Sequence, residues 1–106
     1  MKHLPNTGIK PSVLHEICFL AQKHHLEKVL LFGPRAEGTF SAKSSIQLAV
    51  SGRHTAAFSL DVRKTAPTFL KIEITVLENP LSEDLLQEIK NTGILLYEKN
   101  SHFDAV

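Results

Sequence analysis

Apolar residues are spaced differently in three successive segments of the chain, residues 11–28, 29–32 and 34–44. From Pro11, apolar residues return at steps of three and four, which predicts an amphipathic helix over residues 11–28 with proline in its first turn. The apolar run 29–32 is too short for a surface helix and predicts a buried strand that ends at Gly33. Residues 34–44 lack a sustained period and predict a loop, with room for one helical turn.

In residues 45–52, every second residue is a large aliphatic one, up to Val50. Successive residues of a strand point to opposite faces, so the alternation predicts a strand with one apolar and one more polar face. The apolar face carries Ile46, Leu48 and Val50, and the other carries Ser45, Gln47 and Ala49. Residues 69–78 alternate in the same way and predict a third strand.

The strongest helix pattern covers residues 79–93. Ser82 suits the N-cap, two acidic residues follow it in the first turn, and Gly93 suits the end of the helix. Residues 94–99 predict a last short strand, whereas residues 54–66 fit either a helix or an irregular arm.

This order of elements predicts a small α/β (α+β) domain whose mixed β-sheet is packed with helices. We expect a single domain over residues 1–106, with a flexible lead-in at 1–10 and a flexible tail at 100–106.

Composition narrows the functional classes. Lys and Arg number 12 against 11 Asp and Glu, so the net charge is +1 and does not favour a nucleic-acid or membrane binder. No apolar run is long enough to cross a membrane, and the first residues do not resemble a signal peptide. A single cysteine, Cys18, cannot form an internal disulfide, which favours the cytoplasm; its place on the apolar helix face predicts core packing.

Two glycines in the loop, Gly33 and Gly38, suggest a phosphate-binding turn. A P-loop requires Lys and then Ser or Thr after the second glycine, but Thr39 and Phe40 stand there. The G-x-G-x-x-G pattern of dinucleotide-binding folds is also absent. Taken alone, the two glycines could equally be turn residues that need a positive φ.

The stretch "LFGPRAEGTFSAKSSIQLAV" (31–50) resembles the signature of minimal nucleotidyltransferase domains, relatives of DNA polymerase beta. That signature is close to L-F-G-S-R-A-R-G followed by S-D-I-D-L-A-V. The matching residues are Leu31, Phe32, Gly33, Arg35, Ala36 and Gly38, then Ser44, Ile46, Leu48, Ala49 and Val50. The resemblance covers roughly residues 13–98 and implies that family's fold, with Gly33, Pro34, Arg35 and Gly38 at nucleotide-loop positions.

The departures from the signature fall on the residues that carry its chemistry. Pro34 stands in place of the serine, Ser45 and Gln47 in place of the two aspartates, and Glu73 corresponds to a third acidic position. In the family, the aspartates hold two Mg²⁺ ions against a nucleoside triphosphate, and Mg²⁺ prefers carboxylate and phosphate oxygens. Neutral side chains replace two negative charges, and proline removes one backbone N–H.

Other residues have ordinary interpretations. We expect Arg35 and Lys43 to be solvated surface charges, and Glu73 to pair with Arg35 or Lys71, although Glu73 could hold one metal ion. His24 and His25 are adjacent and would diverge by about 100° on a helix, so they do not predict a metal site.

Three functions remain open. The first is a pseudoenzyme that binds a protein partner; the resemblance implies a HEPN-type helical partner in a toxin–antitoxin-like pair, with a homo-oligomer as the other possibility. The second is an active enzyme transferring AMP from Mg-ATP, with Glu73 and a substitute ligand such as Glu37 or Asp61. The third is a nucleotide-binding regulatory subunit. No cofactor is expected for the first, whereas Mg²⁺ and ATP are expected for an active enzyme.

Overall fold

The computed structural model describes residues 5–99, which form helices and strands in the predicted order. The elements are α1 (Pro11–Lys23), β1 (Lys28–Phe32), α2 (Pro34–Glu37), β2 (Ile46–Ser51), α3 (Thr55–Thr65), β3 (Ile72–Val76), α4 (Glu83–Thr92) and β4 (Ile94–Glu98). The predicted mixed α/β architecture is confirmed. Residues 1–4 and the predicted tail, 100–106, lie outside the described residues.

The strands form a sheet in the order β3-β2-β1-β4. β1 runs antiparallel to both β2 and β4, whereas β2 and β3 are parallel. A parallel pair cannot be joined by a tight turn and needs a crossover connection. α3 supplies that crossover, so residues 55–65 form a helix and not an irregular arm.

The main core lies between one face of the sheet and the helices α1 and α3. The apolar residues of α1 and the inward-facing residues of β1 and β2 belong to one buried cluster, as the helical and alternating patterns predict. The largest contributors are Ile17, Leu26, Leu31, Ile46, Leu48, Phe58 and Val62, each 0% exposed. Cys18 packs against this core, and its Sγ donates to the Leu96 carbonyl oxygen at 3.4 Å.

The second face of the sheet carries a smaller apolar cluster beneath α4. Phe32, Ala49 and Ile89 are buried there. The Ser82 hydroxyl accepts a hydrogen bond from the Leu85 N–H at 3.1 Å, which confirms the predicted N-cap. Because α4 ends next to the glycine loop, it brings the side chain of Thr92 to that loop.

The lead-in that precedes α1 lies against the domain over its described residues. Thr7 and Ile9 are buried, although no regular element includes them. α1 ends earlier than the pattern predicts, at Lys23, since His25 adopts a left-handed φ of 55° and turns the chain toward β1.

Candidate nucleotide-loop site

The glycine loop leaves β1 through a conformation that requires glycine. Gly33 has φ 79° and ψ −159°, a region that residues with a Cβ atom rarely enter, and Gly38 has φ 87° and ψ 12°. Between them, α2 begins with Pro34, and the N–H groups of Ala36 and Glu37 donate to the Gly33 carbonyl oxygen at 3.0 and 3.1 Å. Both glycines therefore have a structural role in the turn, whatever else the loop binds.

The structure brings the degenerate positions of the signature together at one end of the sheet. Gln47 is the register partner of Phe32 in β1 and of Glu73 in β3. Ser45 immediately precedes β2 and is not part of the strand, which begins one residue later than predicted. Since neighbouring residues in register share a face of the sheet, Gln47 and Glu73 point to the same side.

Groups of the chain itself occupy the space around Gly33. The Gly33 N–H donates to the Thr92 hydroxyl oxygen at 2.9 Å, and that hydroxyl donates to the Glu88 carbonyl oxygen at 2.8 Å. The Gln47 amide oxygen lies where a Cβ atom on Gly33 would stand. Pro34 has no N–H. At Gly33 and Pro34, the loop thus has no free backbone N–H to offer a phosphate.

Arg35 is buried, so the expectation of a solvated surface charge was wrong for this residue. Its side chain is 2% exposed and lies over the Phe40 ring, 4.8 Å from the ring centroid. Its guanidinium donates to four backbone carbonyl oxygens: those of Ser44 at 2.9 Å, Thr7 at 2.8 Å, and Ser41 and Ala42 at 3.3 Å each. Arg35 therefore joins the lead-in to the loop after α2, and its donors point at the chain's own carbonyl groups.

The other charged candidates lie on the surface. Lys71 Nζ is 3.7 Å from Glu73 Oε2, so Glu73 pairs with Lys71 and not with Arg35, although Lys71 is largely exposed and Glu73 about half exposed. Lys43 is exposed, as expected. An ion pair exposed to water contributes little to the stability of the fold, and the carboxylate of Glu73 stays accessible to solvent.

The donor set of this site does not fit two Mg²⁺ ions. Two such ions need several hard anionic oxygens, and Ser45 and Gln47 supply neutral ones beside the single carboxylate of Glu73. Of the two proposed substitutes, Asp61 is excluded because it lies on α3, which packs on the opposite face of the sheet, whereas Glu37 is an exposed residue of α2 in the glycine loop itself. Within residues 5–99, no cluster of three or more His, Cys, Asp or Glu residues forms a metal site.

Asp61 instead links α3 to the end of α1 through hydrogen bonds at the surface. His24 Nε2 lies 2.7 Å and Lys23 Nζ 3.3 Å from Asp61 Oδ2. These hydrogen bonds, from His24 and then Lys23, lower the pKa of the Asp61 carboxyl below its usual value. On the same side of the sheet, burial raises the pKa of the Cys18 thiol, which suits a packing residue and not a nucleophile.

Sequence reasoning did not find Thr92 or the burial of Arg35. Thr92 follows Gly33 by 59 residues, and only the position of α4 against β1 brings them together. A threonine in the last turn of a helix carries no local signal for this contact. For Arg35, the four carbonyl groups come from loop segments without a regular pattern, so no periodicity could reveal them.

The fold and the glycine loop define a nucleotidyltransferase-like domain. The family described as "Polymerase beta, Nucleotidyltransferase" matches residues 16–102, and the chain belongs to this family. No curated protein sequence matches the chain.

Solved structures with a similar fold come from toxin–antitoxin complexes. A crystal structure of a toxin-antitoxin MntA-HpeT mutant has a TM-score of 0.64 at 20% identity, and the match covers 87% of this chain and 78% of that one. A crystal structure of the toxin-antitoxin with AMP-PNP gives the same values. A second MntA-HpeT mutant has a TM-score of 0.62 at 21% identity, with 86% and 76% covered. At this identity, the likeness shows the fold alone.

Among the described residues, no helix is long and apolar enough to cross a membrane.

Proposed function

We propose that this protein is a pseudoenzyme of the nucleotidyltransferase fold that acts by binding a protein partner in a toxin–antitoxin-like pair. One observation supports the proposed loss of catalysis: the Gln47 amide and the Thr92 hydroxyl lie against Gly33. The resemblance implies carboxylates and a bound triphosphate there. The replaced aspartate positions support the same conclusion, because Ser45 and Gln47 cannot neutralise metal charge.

The partner part of the proposal is supported by the structural neighbours. The similar folds are those of toxin–antitoxin proteins. The helical HEPN-type partner is implied by the resemblance of the glycine loop alone. A reducing cytoplasm fits the single thiol of this chain. We propose a heteromeric complex ahead of a homo-oligomer because the neighbours are toxin–antitoxin complexes.

Transfer of label from ATP tests the loss of catalysis. The chain is incubated with ATP labelled in its α-phosphate, with Mg²⁺ or Mn²⁺, and with the product of the neighbouring gene as acceptor. We expect no label above background for the natural chain. The triple variant Pro34→Ser/Ser45→Asp/Gln47→Asp, which rebuilds the signature, should gain measurable transfer if the scaffold is otherwise intact.

Co-expression tests the partner. The chain and the neighbouring gene product are co-purified through a tag on one of them, and the complex is sized by light scattering. A stable complex with fixed stoichiometry is expected. Label transfer by the natural chain, or a chain that stays monomeric beside every neighbouring product, would contradict the proposal.

The second candidate is an active transferase that relies on Glu73. One observation favours it: Glu73 is the register partner of Gln47, so a carboxylate stands on the strand and face where the resemblance expects one. Replacement of Glu73 by Gln in the natural chain should then abolish label transfer. If there is no transfer to abolish, this candidate fails.

The third candidate is a nucleotide-binding regulatory subunit. Calorimetry with ATP, with and without Mg²⁺, distinguishes it from the pseudoenzyme, because binding without turnover would release heat at millimolar nucleotide. The Gly33 N–H already has an acceptor within the chain, so we rank this candidate behind partner binding.

A further inference from the structure

A groove lined by cationic side chains opens beside the segment that enters the edge strand β3. It has a volume of about 460 Å³ and lies between the lead-in, the loop after α2 and the segment that enters β3. Three lysines line it, namely Lys10, Lys43 and Lys71, together with Phe69 and Leu70. We call these five residues the lysine groove.

A second hollow of about 470 Å³ continues from the lysine groove along β3. The two hollows share Thr68, Leu70 and Lys71, and the charged residues that the second adds are Arg63 and Glu73. Of the residues that the structure describes, four cationic side chains and one carboxylate line the combined surface, whereas the whole chain has a net charge of only +1. Such a local excess attracts an anionic partner that the average charge does not indicate.

The lysine groove also has a strongly apolar part. Phe69 is fully exposed, with a relative exposure of 110%, and stands beside Leu70. The floor is aliphatic, since Ile9 and Val13 also line it. An exposed aromatic side chain beside an apolar floor is typical of the centre of a protein–protein contact.

The outer edge of β3 has hydrogen-bonding groups without a strand partner. The Ile46 N–H donates to the Lys71 carbonyl oxygen and the Leu77 N–H to the Val50 carbonyl oxygen, each at 2.8 Å. In a parallel ladder of this register, the backbone of Ile74 faces away from β2.

Neighbouring outward carbonyls on this edge are already bonded. Arg63 Nε donates to the Ile72 carbonyl oxygen at 3.3 Å, and the Asn79 N–H donates to that of Val76 at 3.1 Å. Within residues 5–99, the N–H and C=O of Ile74 have no such partner.

We propose that the lysine groove and the adjacent edge of β3 bind an extended, acidic segment of a protein partner that carries an apolar side chain. Carboxylates of the segment pair with Lys43 and Lys71, its apolar side chain packs on Phe69 and Leu70, and its backbone bonds to Ile74 as an added strand. The inference rests on the proposed function, because it names the surface through which a partner is held.

Two other occupants fit the surface less well. Single-stranded nucleic acid would meet the lysines, but it binds through several stacked aromatic platforms. Among residues 5–99, Phe69 is the one aromatic residue that lines the two hollows. A second copy of this chain that docked through the same groove would bring its own cations to the same place. An acidic peptide segment satisfies the charge, the apolar floor and the free strand edge together.

Fluorescence anisotropy with a labelled peptide tests the proposal. The probe is the hexapeptide Asp-Glu-Leu-Asp-Leu-Glu, and the control peptide carries Lys at every acidic position. We expect saturable binding of the acidic peptide, weakened at high salt, and no binding of the basic one. In an NMR titration, the amide of Ile74 should shift with the groove residues. No saturable binding, or tighter binding of an oligothymidine of equal length, would overturn the proposal.

Variants locate the binding surface. The double variant Lys43→Glu/Lys71→Glu should raise the Kd at least tenfold, and Phe69→Ser should raise it severalfold. Lys90→Glu, an exposed lysine of α4 that does not line either hollow, is the matched control and should change the Kd less than twofold. Circular dichroism confirms that each variant is folded.

The same variants separate this inference from the proposed function. If the neighbouring gene product forms a complex that Lys43→Glu/Lys71→Glu does not weaken, the groove is not the docking surface, while the proposed function stands. If the acidic peptide binds but no neighbouring product forms a complex, the groove proposal stands and the proposed function fails. Dimers detected by light scattering that the double variant dissolves would assign the groove to a second copy and overturn the proposal.

Discussion

The glycine loop and the outer edge of β3 belong to the same domain but differ in how their backbone groups are satisfied. At the loop, the Gly33 N–H already bonds Thr92, and Arg35 bonds four nearby carbonyl oxygens. At the β3 edge, the backbone groups of Ile74 have no partner in residues 5–99, and lysines surround the adjacent groove. A surface whose donors are bonded within the chain has little to offer a ligand, so binding is expected at the second surface.

The largest effect should come from removing the hydrogen bonds that Arg35 donates to the carbonyl oxygens around the glycine loop. Arg35→Ala removes a buried side chain and leaves four carbonyl oxygens without their donor, which should lower the free energy of unfolding by about 3 to 5 kcal/mol. Urea denaturation measures this loss. Arg35→Lys keeps the charge but not the planar fork, so it should recover only part of the stability.

The control for this prediction is Lys43→Ala, an exposed change in the same loop, with an expected effect within about 0.5 kcal/mol. Equal losses for the Arg35 and Lys43 variants would contradict a structural role for Arg35.

A second test compares the two glycines of the loop. Gly33→Ala meets both an unfavourable φ, ψ region and the Gln47 amide, and should cost about 3 kcal/mol. Gly38→Ala also needs a positive φ, but nothing lies within 4 Å of its added Cβ, so about 1 to 2 kcal/mol is expected. Denaturation midpoints report both values.

The double variant Gly33→Ala/Gln47→Ala separates the two causes. It should be more stable than the sum of the single changes predicts, because the shortened side chain at position 47 would leave room for the new methyl group. Strict additivity would show that the contact with Gln47 does not restrain Gly33.

A smaller effect is expected at Thr92. Thr92→Val keeps the shape of the side chain but leaves the Gly33 N–H without an acceptor, which should cost about 1 to 2 kcal/mol and speed hydrogen exchange at the Gly33 amide. Thr39→Val, at an exposed loop position, serves as the comparison and should leave exchange at Gly33 unchanged. Unchanged exchange in Thr92→Val would mean that the loop is not held closed by α4.

The smallest effect should come from the surface hydrogen bonds of Asp61, which lies in neither the glycine loop nor β3. Its carboxyl pKa is lowered in the folded protein by His24 first and Lys23 second, so the ionised form is favoured by folding. This contribution is present above the unfolded-state pKa, about 3.9, and is lost as the pH falls through the lower folded-state pKa. Natural protein and Asp61→Asn should therefore differ in urea midpoint near neutral pH and converge in strong acid. A difference that grows on acidification would reverse the sign and contradict the assignment.

Sequence patterns predicted the elements well, because each element carries its own local signal. The alternation in β2 identified its buried face, and Ser82 and Gly93 marked the ends of α4. From the resemblance, Glu73 was expected to correspond to a third acidic position, but its register with Gln47 comes from the structure. The hydrogen bonds that occupy the donors of the glycine loop could not be predicted. They depend on Thr92, which is 59 residues from Gly33, and on carbonyl groups of segments that have no periodic pattern.

The position of β3 at the edge of the sheet could not be predicted from the sequence either. Residues 69–78 predict a strand, but a strand pattern does not say whether the strand has one neighbour or two. Only the observed sheet order makes β3 an edge, and only the connections around it bring Lys10, Lys43 and Lys71 to one groove.

The register of β2 and β3 has a consequence for a rebuilt site. Because Gln47 and Glu73 are register partners, Ser45→Asp/Gln47→Asp would crowd three carboxylates at one end of the sheet. Their mutual repulsion would destabilise the folded chain, and a bound divalent cation would relieve it. Thermal unfolding of that variant should therefore shift upward with Mg²⁺ concentration, whereas the natural chain should not respond. The melting curve would then act as a gauge of cation binding that needs neither nucleotide nor acceptor.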